Sequence, residues 1–215
     1  MPVTFTVMLI IVTASISLIA FNNKTLVNNF IFHIAPIQQN NQWYRFITCG
    51  FIHADFGHLA FNMISLYLFG QLVEDQFTIF FGTQGSLFFL FVYLSALVVS
   101  LLPTYLQHKR HLYYRSLGAS GAVSAIVFIG IFLYPTANIG FFIIPPIIPG
   151  FIFAPMYLII SAYLFKNGGD NINHSAHIWG ALYGIAFLIV ITYYFAHTNV
   201  ALSFMQQIQE WFAHH

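Results

Sequence analysis

Residues 117–133 read Leu-Gly-Ala-Ser-Gly-Ala-Val-Ser-Ala-Ile-Val-Phe-Ile-Gly-Ile-Phe-Leu, an apolar run without Asp, Glu, Lys or Arg in which Ser120 stands between Gly118 and Gly121. A hydroxyl near the start of such a run needs a partner inside the protein, because hydrocarbon offers none. The rest of the chain is equally apolar. Its 215 residues are 59% hydrophobic and only 5% charged, with 26 Phe and a mean hydropathy of +0.80. So few charges cannot cover a soluble domain of this length, so lipid is the solvent for most of the surface. A net charge of +1 without any basic run excludes nucleic acid as a partner, which would need clustered Lys and Arg. The lone Cys49 rules out an intramolecular disulfide and reads as a packing residue.

Working outward, five more apolar stretches, 3–21, 56–73, 85–102, 148–165 and 175–195, join 117–133. Each approaches the roughly 20 residues of helix that cross about 30 Å of hydrocarbon, and the charged residues fall between or after them. A spanning backbone must satisfy its own hydrogen bonds, so these stretches are predicted to be helices. The sequence therefore predicts an all-α membrane protein, a six-transmembrane-helix bundle forming one domain over 1–196. The first stretch has no basic residue before it and no small-x-small cleavage site, and it reads as a span rather than a secretory signal. The connection 22–55, with Trp43, Tyr44 and Arg45 among Asn and Gln, suits the membrane interface. Prolines between 134 and 150 exclude a continuous helix there. In the tail, 197–215, apolar residues Ala201, Phe204, Met205, Ile208, Trp211 and Phe212 recur at steps of three and four, the pattern of a helix lying along the surface.

Polar residues persist near the starts of the second, fourth and sixth stretches. His58 and Asn62 are four apart on one helical face, Ser120 opens the fourth, and His174, Ser175 and His177 open the sixth. Alternate helices cross in the same direction, so these three starts share a face and, at about 1.5 Å per residue, a shallow layer. Gly118 and Gly121 around the serine, and Gly180 and Gly184 in small-xxx-small spacing, allow close helix approach. Serine becomes a nucleophile when an adjacent base takes its proton, and His177 is the base at hand. Asn62, His58 and the backbone N–H of Ser120 can donate to the oxyanion of acyl transfer. A helix's first turn adds free amide hydrogens and the positive end of its dipole. Glu74 and Asp75 end the second stretch on the other face and Asp170 lies in a loop, so a Ser120–His177 dyad is predicted, with no third carboxylate. His53, His58, His174 and His177 suggest a metal site as a different class of function. Without carboxylate ligands among them, the expectation is no metal.

These residues fall into three motifs. Gly118-Ala119-Ser120-Gly121, Ala176-His177-Ile178-Trp179-Gly180 with Gly184, and His58-Leu59-Ala60-Phe61-Asn62 resemble the serine, histidine and H-x-x-x-N motifs of the rhomboid intramembrane proteases. The resemblance runs from about Trp43 to Gly184 and extends to Gly70 with Glu74 and to His53. It implies Ser120 as nucleophile, His177 as base and His58 and Asn62 as oxyanion-hole side chains. It further implies cleavage of single-span membrane proteins in the lipid bilayer without a cofactor. A non-catalytic rhomboid-like scaffold that binds membrane helices is the alternative; such proteins usually lack the serine or the histidine, and both are here. Two departures stand out. The family's Trp-Arg pair appears as Trp43-Tyr44-Arg45, so either ring could take the aromatic role, and Ser124 occupies the place, four residues after the serine, where many members have a ring packed on the histidine. All six Lys and Arg lie in connections on one face, which the positive-inside tendency would make cytoplasmic. The resemblance implies the reverse, a multi-pass protein of a bacterial-type plasma membrane with its site facing outward, and that is the expectation.

Overall fold

The computed structural model describes residues 4–141, 144–168 and 172–214. In chain order, α1 (Phe5–Ala20) is followed by α2 (Lys24–Phe30), the short strand β1 (Phe32–His33), α3 (Ile34–Gln39) and α4 (Arg45–Thr48). Next come α5 (Phe56–Phe81), α6 (Gly85–Val99), α7 (Leu102–His108), β2 (Arg115–Ser116) and α8 (Ser120–Leu133). The chain continues through β3 (Asn138–Phe141), β4 (Ile144–Pro149), α9 (Gly150–Asn167), α10 (His174–Phe195) and α11 (Val200–His214). Side-chain oxygens start several of these helices by accepting orphan amide hydrogens. Thr4 accepts from Val7 ahead of α1, Asp55 from His58 ahead of α5, and Asn173 from Ala176 ahead of α10.

α8 is the central helix: every residue from Gly121 to Ile131 is buried. It packs most extensively on α10, then on α5 and α6. The α8–α10 contact is made backbone to backbone, since a Cβ on Gly180 would run into the carbonyl of Gly121 and one on Gly184 into the backbone of Ala125. Small residues permit this approach where hydrophobic association is weak.

Each expected stretch has a helix, but its limits differ. The second, expected over 56–73, runs on to Phe81 and ends at Gly82, whose φ of +59° suits glycine. Glu74 therefore lies inside α5 rather than at its end: it is buried and accepts hydrogen bonds from Phe5 N, Thr6 N and Thr6 Oγ1 at 2.9, 2.9 and 2.8 Å. The amide end of α1 replaces water around that carboxylate. Three helical stretches, Phe56–His108, Gly150–Asn167 and His174–Phe195, are long and apolar enough to cross a membrane. The first of them contains the reversal at Gly82–Gln84. α1 and α8, with 16 and 14 residues, are shorter apolar helices.

The described residues of the proline-rich connection ahead of α9 form no helix, and β3 and β4 pair antiparallel there; 142 and 143 lie outside the described residues, as do Asp170 and His215. The amphipathic tail is α11. Phe204 stacks on Phe132 at 4.5 Å, and Gln207 Nε2 donates to Leu133 O at 3.1 Å, so the tail covers the far end of α8. In the first connection Arg45 is buried, its guanidinium donating to Asn28 O, Ile31 O and Gln42 Oε1 at 2.7, 2.8 and 2.8 Å. Trp43 stacks on Phe46, whereas the Tyr44 ring lies 5.6 Å from the Arg45 guanidinium carbon. β1 pairs with β2, Phe32 opposite Ser116, and so ties this connection to the strand that leads into α8.

Candidate active site

Ser120 is the first residue of α8, with Ala119 as N-cap. The first bond of the helix runs from Val123 N to Ala119 O, so the amide hydrogens of Ser120, Gly121 and Ala122 have no intrahelical acceptor. Two contacts hold the turn before it. Gly118 N donates to Cys49 O at 2.9 Å, and Ala119 N donates to His53 Nε2 at 3.4 Å. Gly118 has a φ of +112°, and a Cβ there would lie 2.7 Å from His58 Cε1 and 2.9 Å from His58 Nε2. Only glycine meets both demands.

His53 gives the turn its second anchor through a deducible tautomer. Ser17 Oγ donates to Phe51 O at 2.9 Å and lies 2.9 Å from His53 Nδ1. A hydroxyl has one hydrogen, so His53 Nδ1 must be the donor to Ser17, which leaves Nε2 as acceptor for Ala119. Burial first, and the neighbouring His58 second, push the His53 pKa down to about 3, which keeps Nε2 unprotonated. The Cys49 thiol, also buried, is pushed up to about 12 and stays protonated at neutral pH, in keeping with a packing role.

α10 sets His177 in its first turn. Asn173 does more than cap this helix: its Oδ1 also accepts from Thr104 Oγ1 at 3.1 Å, and its Nδ2 donates to Ser116 Oγ at 3.3 Å. One side chain thus ties the start of α10 to α7 and to β2. On α5, His58 lies in the first turn, and buried Asn62 spends one of its two amide hydrogens on His58 O at 2.9 Å.

Ser120, His177, His58 and Asn62 all line one cavity of ≈ 600 Å³, whose walls also include Asp55, Ser65, Ser124, Phe153, Tyr157 and Asn173. Of the expected packing glycines, Gly121, Gly180 and Gly184 make the α8–α10 contact, whereas Gly118 lies in the turn before α8 against the His58 ring. The four histidines do not form one ligand set. His53 and His58 meet edge to face at 4.9 Å and His174 and His177 at 5.8 Å, and no group of three or more metal-binding side chains occurs among the described residues. Sequence reasoning missed Ser17, Asn173 and Tyr157. Asn173, directly before a helix, carried a readable capping signal; Ser17 and Tyr157 act across helices and carried none.

Comparison with known proteins bears on this arrangement. The model of the Rhomboid domain matches residues 40–194. The chain is similar to RHOMBOID-like protein 12, mitochondrial, of Arabidopsis thaliana, 32% identical over 75% of this chain and 50% of the relative. It is likewise similar to Rhomboid-like protein 11, chloroplastic, of the same plant, 27% identical over 80% of this chain and 59% of the relative. Similarity to the putative rhomboid protease YdcA of Bacillus subtilis (strain 168) is 32% over 70% of this chain and 69% of the relative. The chain thus spans a little over half the length of the two plant relatives. Their names point to organelles, and the expected bacterial-type plasma membrane gains no support from them. The match covers the helices that build the cavity, from α4 to nearly the end of α10, and the chain belongs to the rhomboid family of integral membrane proteins.

Proposed function

We propose that this protein is an intramembrane serine endopeptidase acting through Ser120 and His177. The observation that carries the reading is the shared cavity, which gathers a hydroxyl, two imidazoles and a carboxamide from α5, α8 and α10 at the start of each helix. His177 takes the Ser120 proton as the oxygen attacks a substrate carbonyl. The oxyanion is met by the free amide hydrogens at the start of α8, by His58 and by the remaining Asn62 hydrogen. Collapse expels the amine, protonated by His177, and a water activated by the same imidazole releases the acyl group from Ser120. Apart from substrate and water, every group in this cycle is a side chain or backbone amide, so the cycle needs no cofactor.

Six crossings, by α1, α5, α6, α8, α9 and α10, place the cavity and the N-terminus at opposite membrane faces, in one membrane domain over 1–196 with 197–215 as its tail. Substrates are single-span membrane proteins, which reach the cavity from the lipid. Cleavage of model single-span substrates in proteoliposomes tests the reading: Ser120→Ala and His177→Ala should each abolish cleavage. Asn62→Ala should raise the barrier by about 2–4 kcal/mol, the cost of one oxyanion donor. Activity persisting in His177→Ala would reject the dyad. A folded wild-type protein that binds the substrates and cuts none would make it a scaffold.

A further inference from the structure

His177 has an aromatic neighbour from a helix that carries none of the dyad. The Tyr157 ring lies 6.4 Å from the His177 ring at an interplanar angle of 24°, within the about 4.5–7 Å over which rings stack with an offset. Tyr157 is itself fixed on three sides. Phe153, one turn before it on α9, stacks on it at 6.0 Å; Phe128 of α8 packs at 5.6 Å; and its hydroxyl lies 3.5 Å from Ser124 Oγ. The ring also lines the cavity beside Ser120 and His177.

Resting on the dyad reading, we propose that Tyr157 is a positioning residue of His177, helping to hold the imidazole plane in the orientation from which it accepts the Ser120 proton. Position 124 explains why the ring comes from α9. A large side chain there would occupy the space that Tyr157 fills, and Ser124 leaves it open while offering a hydroxyl to the phenol. The base of the reaction is thereby set by a loosely buried helix, since only Gly150 and Ser161 of α9 are buried. Proton acceptance thus requires α9 to stay packed against α8 and α10.

The test uses the full chain in proteoliposomes, with kcat and KM for a model single-span substrate and the rate of fluorophosphonate labelling. Tyr157→Ala should lower kcat and the labelling rate by about three- to tenfold, as expected for a lost aromatic pair, with KM unchanged. Tyr157→Phe keeps the ring and should keep most of the rate. The decisive variant moves the ring to the facing helix: Ser124→Tyr added to Tyr157→Ala should recover at least half of the lost rate. Unchanged kcat in Tyr157→Ala, or equal losses in Tyr157→Phe and Tyr157→Ala, would overturn the proposal. If Tyr157→Ala does not fold, absence of any rate difference between Tyr157→Phe and Tyr157→Leu overturns it instead. Full activity in His177→Ala would instead strike the dyad reading itself.

Discussion

His53 shows how one residue outside the chemistry can govern the nucleophile. Its Nδ1 hydrogen goes to Ser17 and its Nε2 receives the amide hydrogen of Ala119, so it must be neutral to hold the turn before Ser120. An unfolded histidine takes a proton at about 6.5, whereas folded His53 does so only at about 3. Between those values the unfolded chain binds more protons, so stability rises with pH, and it is lost as pH falls from about 6.5 toward 3. The thermal midpoint of the wild type should fall on acidification through this range more steeply than that of His53→Ala, which starts lower at pH 7. Parallel curves would show that His53 does not titrate against folding. From sequence alone His53 offered only a family motif and a metal ligand, because its partners lie 36 and 66 residues away.

At the scale of elements, the α8–α10 contact was readable. Gly180 and Gly184 announced a close-packed face, and the starts of the three polar helices do converge on one cavity. Gly180→Val should therefore separate α8 from α10, costing about 1–3 kcal/mol by overpacking and most of the activity. Denaturant unfolding in detergent, paired with the cleavage assay, checks this; a variant of unchanged stability would contradict the backbone contact. What could not be read were the ends of elements. Glu74 looked like a charge ending its helix, because nothing in its neighbourhood shows that α5 runs on to Phe81 or that the amide end of α1 arrives to receive it. The β3–β4 pairing was hidden in the same way, since prolines exclude a helix without stating what replaces it.

For the molecule as a whole, composition alone identified lipid as solvent, whereas the face that opens to water is a matter of topology. Five of the six cations, all but buried Arg45, are exposed, and the proposed six crossings would put them on the face where the polar helices start. Tyr113, 91% exposed, belongs to that face, and exposed His197 follows α10 at the other. Buried Cys49 gives little background thiol labelling, so cysteines placed at Tyr113 and at His197 should react with an impermeant reagent from opposite sides of a sealed vesicle. Reaction of both from one side would contradict the six crossings.

The proposed chemistry depends above all on Ser120 being a nucleophile made reactive by His177. Mass spectrometry of the full chain after treatment with a fluorophosphonate tests it most directly. A single adduct on Ser120 is expected, absent in Ser120→Ala and strongly slowed in His177→Ala. An unmodified Ser120 in folded protein, or an adduct formed at the wild-type rate without the imidazole, would contradict it.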